Sequence, residues 1–493
     1  MSEILVRIKA LDLPGDPRST MARLRGTGRH ALLESALVMP GLAEWSYIAG
    51  PALATLYTDD AGTRLERDGV VHKRWSDPFD ALDAMSGFGS VRVDGADDAP
   101  PGLGFAGGWV GMLGYDLVRH LERLPAQALR DPALPAMWWM AVDQVLAFHH
   151  PSRRWWQCTV QGSADAWPWS THGRADMWRE TVACAAGPAA QKTHWHASPR
   201  HQRTDRRTFE RGVQQIRDAI AAGDVLQVNL TRREDAAFEG DAWSLYEDLL
   251  AQHPAPFAAF IDGPGFAIAS ASPERFLQRL GEQVEARPIK GTAARGTNPA
   301  DDKGRRDWLA ASEKDRAENL MIVDLMRNDL GRVARIGSVQ VERLFALEPY
   351  ASVWQMVSTV RAQLRDDVGP AGLLRACWPP GSMTGAPKHK AMQIIEALEP
   401  VQRGAYSGSI GYLDCRGNLD LSVVIRSAVV AAGRVMVQLG AGIVADSDPH
   451  AEWLETVAKG ERLLAVLDGG GSAAQLNAAP SPAARRGPTP PAC

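Results

Sequence analysis

The chain has 493 residues, 45% of them hydrophobic and 23% charged, with a formal net charge of −4. That length allows two or three domains, or a single large enzyme unit, with sizeable cores, and so small a charge offers nothing to hold nucleic acid or an anionic membrane surface. No basic-then-apolar leader opens the sequence and no run of about 18 apolar residues interrupts it, so neither a signal peptide nor a membrane span is expected and the default location is the cytoplasm.

Residues 1–160 alternate short β-rich runs with Gly/Pro turns, as in Trp45-Ser-Tyr-Ile-Ala-Gly50 and Phe105–Tyr115. They read as strands and tight turns of an N-terminal folded unit. Most of the sixteen tryptophans lie before residue 200 and suit cores and interfaces. Residues 161–204 are rich in Ala, Gly, Ser, His and Pro, with one weakly helical stretch near 175–184, and read as a linker or surface excursion. From 205 to 467 the pattern sharpens into a second unit. Phe209, Val213, Ile216 and Ile220 recur at helical spacing, closed by Gly223. Val225–Arg233, Phe266–Ala271 and Val435–Val444 read as strands, and Ser312–Asn328 as a long helix. Another helix starts after Asp448-Pro449, with Asp as N-cap and Pro at the first helical position, and runs to Val466. The Gly, Pro and Ala-rich tail, 468–493, is expected to be disordered. Cys158, Cys184, Cys377, Cys415 and Cys493 are odd in number and form no C-x-x-C pair, which argues against a disulfide framework or a zinc site.

Four segments carry chemistry. In Arg287-Pro-Ile-Lys-Gly-Thr292 the lysine lies at a strand end or turn; its amine becomes a nucleophile only if burial or a nearby cation lowers its pKa, and is otherwise an ordinary exposed lysine. Asp315 with Glu318, and Glu452 with Glu455, are i,i+3 pairs on two helices. Each pair aims two carboxylates at one point, and four converging carboxylates need a cation such as Mg2+ between them. The plain alternative is acidic residues favouring a helix N-terminus. Pro380-Gly-Ser-Met-Thr-Gly-Ala-Pro-Lys388 precedes a helix and is either an anion cradle or a simple Gly/Pro loop. The glycines of Gln438-Leu-Gly-Ala-Gly-Ile-Val444 leave a strand face open for a ligand or mark a bulge.

Taken in this order, the segments resemble the chorismate-utilising enzymes, a family that includes the component I chains of anthranilate synthase and aminodeoxychorismate synthase. The resemblance is dense over 205–467 and looser before it. It implies an α+β fold with large antiparallel sheets packed as a sandwich among helices. Within the family, Pro-Ile-Lys-Gly-Thr resembles the aminodeoxychorismate branch, where anthranilate synthases have Ala for Lys290; Thr384 and His253-Pro-Ala-Pro-Phe257 lean the same way. The resemblance implies Mg2+ on Glu318 and Glu455, with Asp315 and Glu452 acting through water, and Glu274 beside Lys290 in catalysis. The family usually has Glu where Asp315 stands. Thr292, Thr384, Tyr406, Arg426, Gly440 and Gly442 match substrate-binding positions, and a guanidinium fork suits a carboxylate. Gln355 stands where the family commonly has His, and it cannot act as a general acid or base.

The resemblance implies that Lys290 attacks C2 of chorismate as the C4 hydroxyl leaves, and that ammonia then attacks C4 and expels the lysine. The product, 4-amino-4-deoxychorismate, would feed 4-aminobenzoate and folate synthesis after a separate lyase releases pyruvate. No cysteine sits in a Gly-x-Cys-x-Gly setting, so the ammonia is expected from a glutamine amidotransferase subunit in a heterodimer. Leu32-Leu-Glu-Ser35 resembles the family's tryptophan-binding element, and Trp45, Ser46, Tyr47, Ile48, Pro256, Phe257 and Ala258 would complete that pocket. It reads as a feedback site, a structural tryptophan or a core hairpin. Anthranilate synthesis and a non-catalytic relative are the competing functions.

Overall fold

Strands form where β-branched and aromatic residues alternate with smaller or polar ones, and here they assemble into two sheets. The computed structural model describes residues 3–86, 90–162, 174–188, 191 and 193–469. Residues 163–173 of the expected linker, and the expected tail from 470 on, lie outside them. Among the described residues one sheet has 14 strands and the other 12. Pairings between the strands are antiparallel except where Ile4–Arg7 runs parallel to Val91–Asp94. The fold class is α+β.

Both sheets draw strands from either side of residues 161–204. In the larger one Ala31–Glu34 pairs with Phe257–Gly263, with Ala258 opposite Glu34. In the smaller one Gly108–Leu113 pairs with Ser409–Asp414. The 161–204 stretch supplies the helix Arg174–Ala185 and two short strands, Trp195–Ala197 and His201–Gln202, that pair with Gln227–Gly240.

The main core lies between the sheets, where Trp109, Trp138, Trp139 and Trp156 are buried. A second core, around Trp155, Trp243, Tyr246 and Phe260, packs helices on the outer face of the larger sheet. Side chains alternate between the two: Tyr47 enters the first core and its neighbour Ile48 the second, because successive residues of a strand point to opposite faces. The described helices include none long and apolar enough to cross a membrane.

Two helices frame the site. Ser312 caps Glu313–Gly331 by accepting from Asp315 N. Asp448 caps Pro449–Asp468 by accepting from Ala451 N, with Pro449 in the first turn. Both starts match the sequence expectation; both helices run two or three residues further than their apolar pattern, each into a terminal glycine or aspartate.

Candidate active site

Lys290 lies on the strand Ile289–Ala294, which pairs with Val353–Gln363 and loses register between Ile289 and Thr292. The irregularity brings the chain against the Glu313–Gly331 helix. Gly291 has φ +87°, and a Cβ there would sit 2.9 Å from Asp315 Cβ, so only glycine permits this approach. Opposite stands the strand Arg434–Ile443. A Cβ on its Gly442 would lie 3.4 Å from Lys290 Nζ, 3.4 Å from Glu318 Oε2 and 2.3 Å from Gln227 Nε2. An amine, a carboxylate and an amide therefore converge over one bare backbone position. Gly440, two residues back on the same face, is crowded by Thr231 and Asn229 of the adjoining strand Gln227–Gly240.

Burial pushes the Lys290 amine below its ordinary pKa, reinforced by Lys459 and opposed by Glu318, Glu274 and Glu455. Burial likewise raises the Glu274 carboxyl to about 7, against a hydrogen bond from Ser382 and the charge of Lys290. The two groups are close enough to feel each other's charge, and a carboxyl poised near neutrality can give or take a proton at neutral pH.

Three of the four expected carboxylates, Glu318, Glu452 and Glu455, share lysine neighbours between the two helices. Burial raises the Glu318 pKa, with Lys290 and Lys314 opposing and Glu455 adding to it. For Glu455 burial acts upward but Lys459, at 2.7 Å, outweighs it and holds the group low. Glu452 is 2% exposed. Its Oε1 accepts from Ser447 Oγ at 2.6 Å and from Lys314 Nζ at 3.3 Å, while its Oε2 has no partner. Asp315 accepts from Ser312 Oγ at 2.6 Å. Among the described residues no three acidic, imidazole or thiol groups converge tightly enough to cage a metal. The donor set still suits Mg2+, which takes one or two protein carboxylates and keeps several waters. Glu318 and Glu455 supply two hard oxygens, and the orphaned oxygen of Glu452 wants a donor such as a metal-bound water.

The loop Pro380–Lys388 closes another side. Thr384 is fully buried; its carbonyl accepts from Asn229 N at 2.8 Å, which ties the loop to the Gln227–Gly240 strand. Lys388 does not face the site: its amine binds Asp329 and the carbonyls of Cys377 and Pro379 and holds the loop in shape. Arg403, missed in the sequence, does similar work. It is buried, bridges the carbonyls of Met383 and Asn229 at 2.6 and 2.7 Å, and forks onto Glu399. Tyr406 is buried nearby, its phenol pushed up by burial. Gln227 was missed too. It is 1% exposed, and neither its amide nitrogen nor its oxygen has a partner. Its signal in the sequence was a glutamine in an otherwise apolar strand start.

The other expected residues have different partners, and Tyr350 lies within range of the charges of both Arg426 and Glu274. Arg426, at φ +51°, points its guanidinium to His253 Nε2 at 2.8 Å, in a small pocket with Tyr350 and Arg462. Burial and these arginines push His253 down to about 3, so it accepts as a neutral ring. Thr292 is exposed, opposite the buried Gln355, whose Oε1 has no partner. Ser35, Trp45, Tyr47, Pro256, Phe257 and Ala258 line a cavity of about 100 Å³ at the junction of the chain's two halves. Ser46 and Ile48 face away from it: Ser46 Oγ pairs with His150 Nε2 at 2.7 Å and Ile48 enters the outer core.

Comparison with known proteins identifies the family and the fold. The family model described as chorismate binding enzyme matches residues 42–465. The chain is 42% identical to aminodeoxychorismate synthase component 1 of Salmonella typhimurium over 75% of its length and 78% of the relative's. It is 39% identical to an anthranilate synthase component I-like protein of Synechocystis, over 75% and 74%. The crystal structure of anthranilate synthase component I from Streptococcus pneumoniae superposes with a TM-score of 0.73 at 28% identity, covering 86% of this chain and 92% of that one. The chain belongs to the chorismate-binding enzyme family.

Proposed function

We propose that this chain is the component of an aminodeoxychorismate synthase that converts chorismate and ammonia to 4-amino-4-deoxychorismate and water. The observation that carries this reading is the position of Lys290 Nζ, over Gly442 with Glu318 and Gln227, and with Glu274 within range of its charge. An alanine in its place, as in the anthranilate branch, would leave the cleft without a nucleophile.

The neutral Lys290 amine attacks C2 of the ring as the C4–O bond breaks and the double bond shifts. Glu274, protonated in part at neutral pH, delivers the proton with which the hydroxyl leaves as water. Ammonia then bonds to C4, the double bond returns, the C2–N bond to Lys290 breaks to leave the neutral amine, and the proton shed by the new C4 ammonium restores Glu274. Glu318 and Glu455 would hold Mg2+, with Asp315 and Glu452 reaching it through water, and when bound the ion supplies positive charge for the ring carboxylate. Thr384, Tyr406 and the backbone at Gly440 and Gly442 would position the substrate, and Arg426 would serve the side-chain carboxylate after exchanging its His253 contact. Gln355 adds no proton-transfer group, in keeping with a reaction that stops before pyruvate is lost.

The ammonia would come from a glutamine amidotransferase partner, and the product would serve 4-aminobenzoate and folate synthesis in the cytoplasm. The cavity at Ser35 and Trp45, with Glu34 at its wall, would take an aromatic amino acid such as tryptophan, as a feedback ligand or a structural one. Product analysis tests the reading: chorismate, Mg2+ and ammonium should give a product that an added aminodeoxychorismate lyase turns into 4-aminobenzoate. Fluorescent anthranilate instead would establish the competing branch.

A further inference from the structure

The cleft holds a cation that the proposed chemistry does not use. Lys314 lies one turn before Glu318 on the Glu313–Gly331 helix. Its amine reaches across to the other helix, 3.3 Å from Glu452 Oε1, and stands 3.9 Å from Glu318 Oε1. Unlike Lys290 it is half exposed, at 49% of its side-chain surface, so it can swing into solvent at small cost. Its partners are two of the four carboxylates assigned to the Mg2+ site. Glu452 is buried with one oxygen unpartnered, a group that burial punishes unless a cation or donor stays near it. Lys459 has a different set of contacts. Beside Glu455 it also donates to Gly440 O at 3.1 Å, which anchors it to the substrate strand. Lys314 has no such backbone anchor among its contacts and ties only carboxylate to carboxylate.

We propose that Lys314 is a displaceable counter-cation: it links the two helices through Glu452 and Glu318, and a divalent ion binding Glu318 and Glu455 drives it out toward solvent. Two positive charges within about 4 Å of the same carboxylate repel each other, so lysine and metal compete for one place. The lysine holds Glu452 and Glu318 together before the ion arrives, with Glu455 within range of its charge, and the ion has to overcome it. Metal affinity is thereby held weaker than the carboxylates alone would give. The inference rests on the Mg2+ reading above.

The test uses the full chain, treated with chelator and free of substrate, in wild-type, Lys314→Gln and Lys314→Arg forms. Mn2+ binding is followed by the paramagnetic signal of the free ion, and melting temperature is read with and without Mg2+. Lys314→Gln should bind Mn2+ on the order of fivefold more tightly, the scale of one half-exposed ion pair. Its chelator-treated form should melt roughly 2 °C lower, with the difference removed by Mg2+. Lys314→Arg keeps the charge and should behave as wild type, which separates charge from packing. Equal affinity in wild type and Lys314→Gln overturns the proposal and leaves the metal reading standing. Absence of binding to any of the three proteins overturns both.

Discussion

One face of one strand carries both kinds of polar residue in this protein. Gln227, Asn229, Thr231, Arg233 and Asp235 follow one another on the same side of Gln227–Gly240. At the far end every charge is matched. Arg233 forks onto Asp235 at 2.7 and 2.9 Å, and Asp235 is also held by Arg203 at 2.8 Å and Arg434 at 3.4 Å. At the near end Gln227 is equally buried and its amide has no partner at all. The contrast separates structure from function. On the proposed reading, a buried polar group that is fully matched serves the fold, and the one left unmatched beside Lys290 is available to a ligand atom.

The largest expected effect sits at the unmatched end. Lys290→Ala should lower kcat by at least about 10³-fold, since the proposed nucleophile is removed rather than weakened. Chorismate binding, measured by calorimetry, should survive because the carboxylate-binding groups are untouched. Comparable turnover by the variant would break the reading of Lys290 as the attacking amine.

Glu274→Gln comes next. Loss of a proton donor costs about 10²-fold or more in kcat, and the limb of the pH–rate profile near 7 should vanish with it. The same carboxyl also bears on stability. Its folded pKa is raised from 4.5 to about 7, so the folded protein binds this proton more tightly than the unfolded chain does. The stabilisation is complete below pH 4.5, falls as pH climbs through 7 and is absent above. The variant should therefore gain on wild type as pH rises from 5 to 8, by about 2 kcal/mol. Melting curves at the two pH values read that gain directly, and parallel shifts would show that the carboxyl is not held protonated.

At the matched end the expectation reverses. Arg233→Met should cost about 2–3 kcal/mol of stability, at or below the usual range for breaking a buried pair because Arg203 and Arg434 still serve Asp235. Denaturant titration measures this, and kcat per folded molecule should stay at the wild-type value. A fall in kcat without a fall in stability would mean that the two ends of the strand are not separate in kind.

How far the sequence shows this division depends on distance along the chain. Local rules were enough for Ser312 and Asp448-Pro449 as helix starts, and for setting Asp315 with Glu318 and Glu452 with Glu455 on shared helix faces, since caps and i,i+3 spacing involve residues within a turn. The resemblance added Lys290, Glu274 and the sandwich of sheets. The sequence did not reveal partners far along the chain: Arg403 with Asn229, 174 residues away, or Arg426 with His253, 173 away. Nor did it show that alternation along Trp45–Ala49 would send Trp45 and Tyr47 into the junction cavity and Ser46 and Ile48 out of it. Periodicity marks two faces without saying which one a neighbouring strand will cover.

Gln227 gives the smallest expected effect and the sharpest version of the comparison. Its nitrogen stands 2.3 Å from where a Gly442 Cβ would be, the same position that lies 3.4 Å from Lys290 Nζ. Gln227→Leu conserves volume closely and removes an amide whose donors and acceptor are unmet. A residue kept for the fold would lose stability on this change. A residue kept for a ligand should gain about 1–2 kcal/mol, the desolvation penalty of the orphaned amide, while losing its contact to the ligand. The ammonia-dependent kcat/KM should fall by about tenfold, the worth of one hydrogen bond in a closed site. Stability and activity would then move in opposite directions at Gln227, whereas at Arg233 only stability moves. If Gln227→Leu melts lower than wild type and turns over at the wild-type rate, the unmatched amide belongs to the scaffold, and the division drawn along this strand fails at the end where it matters most.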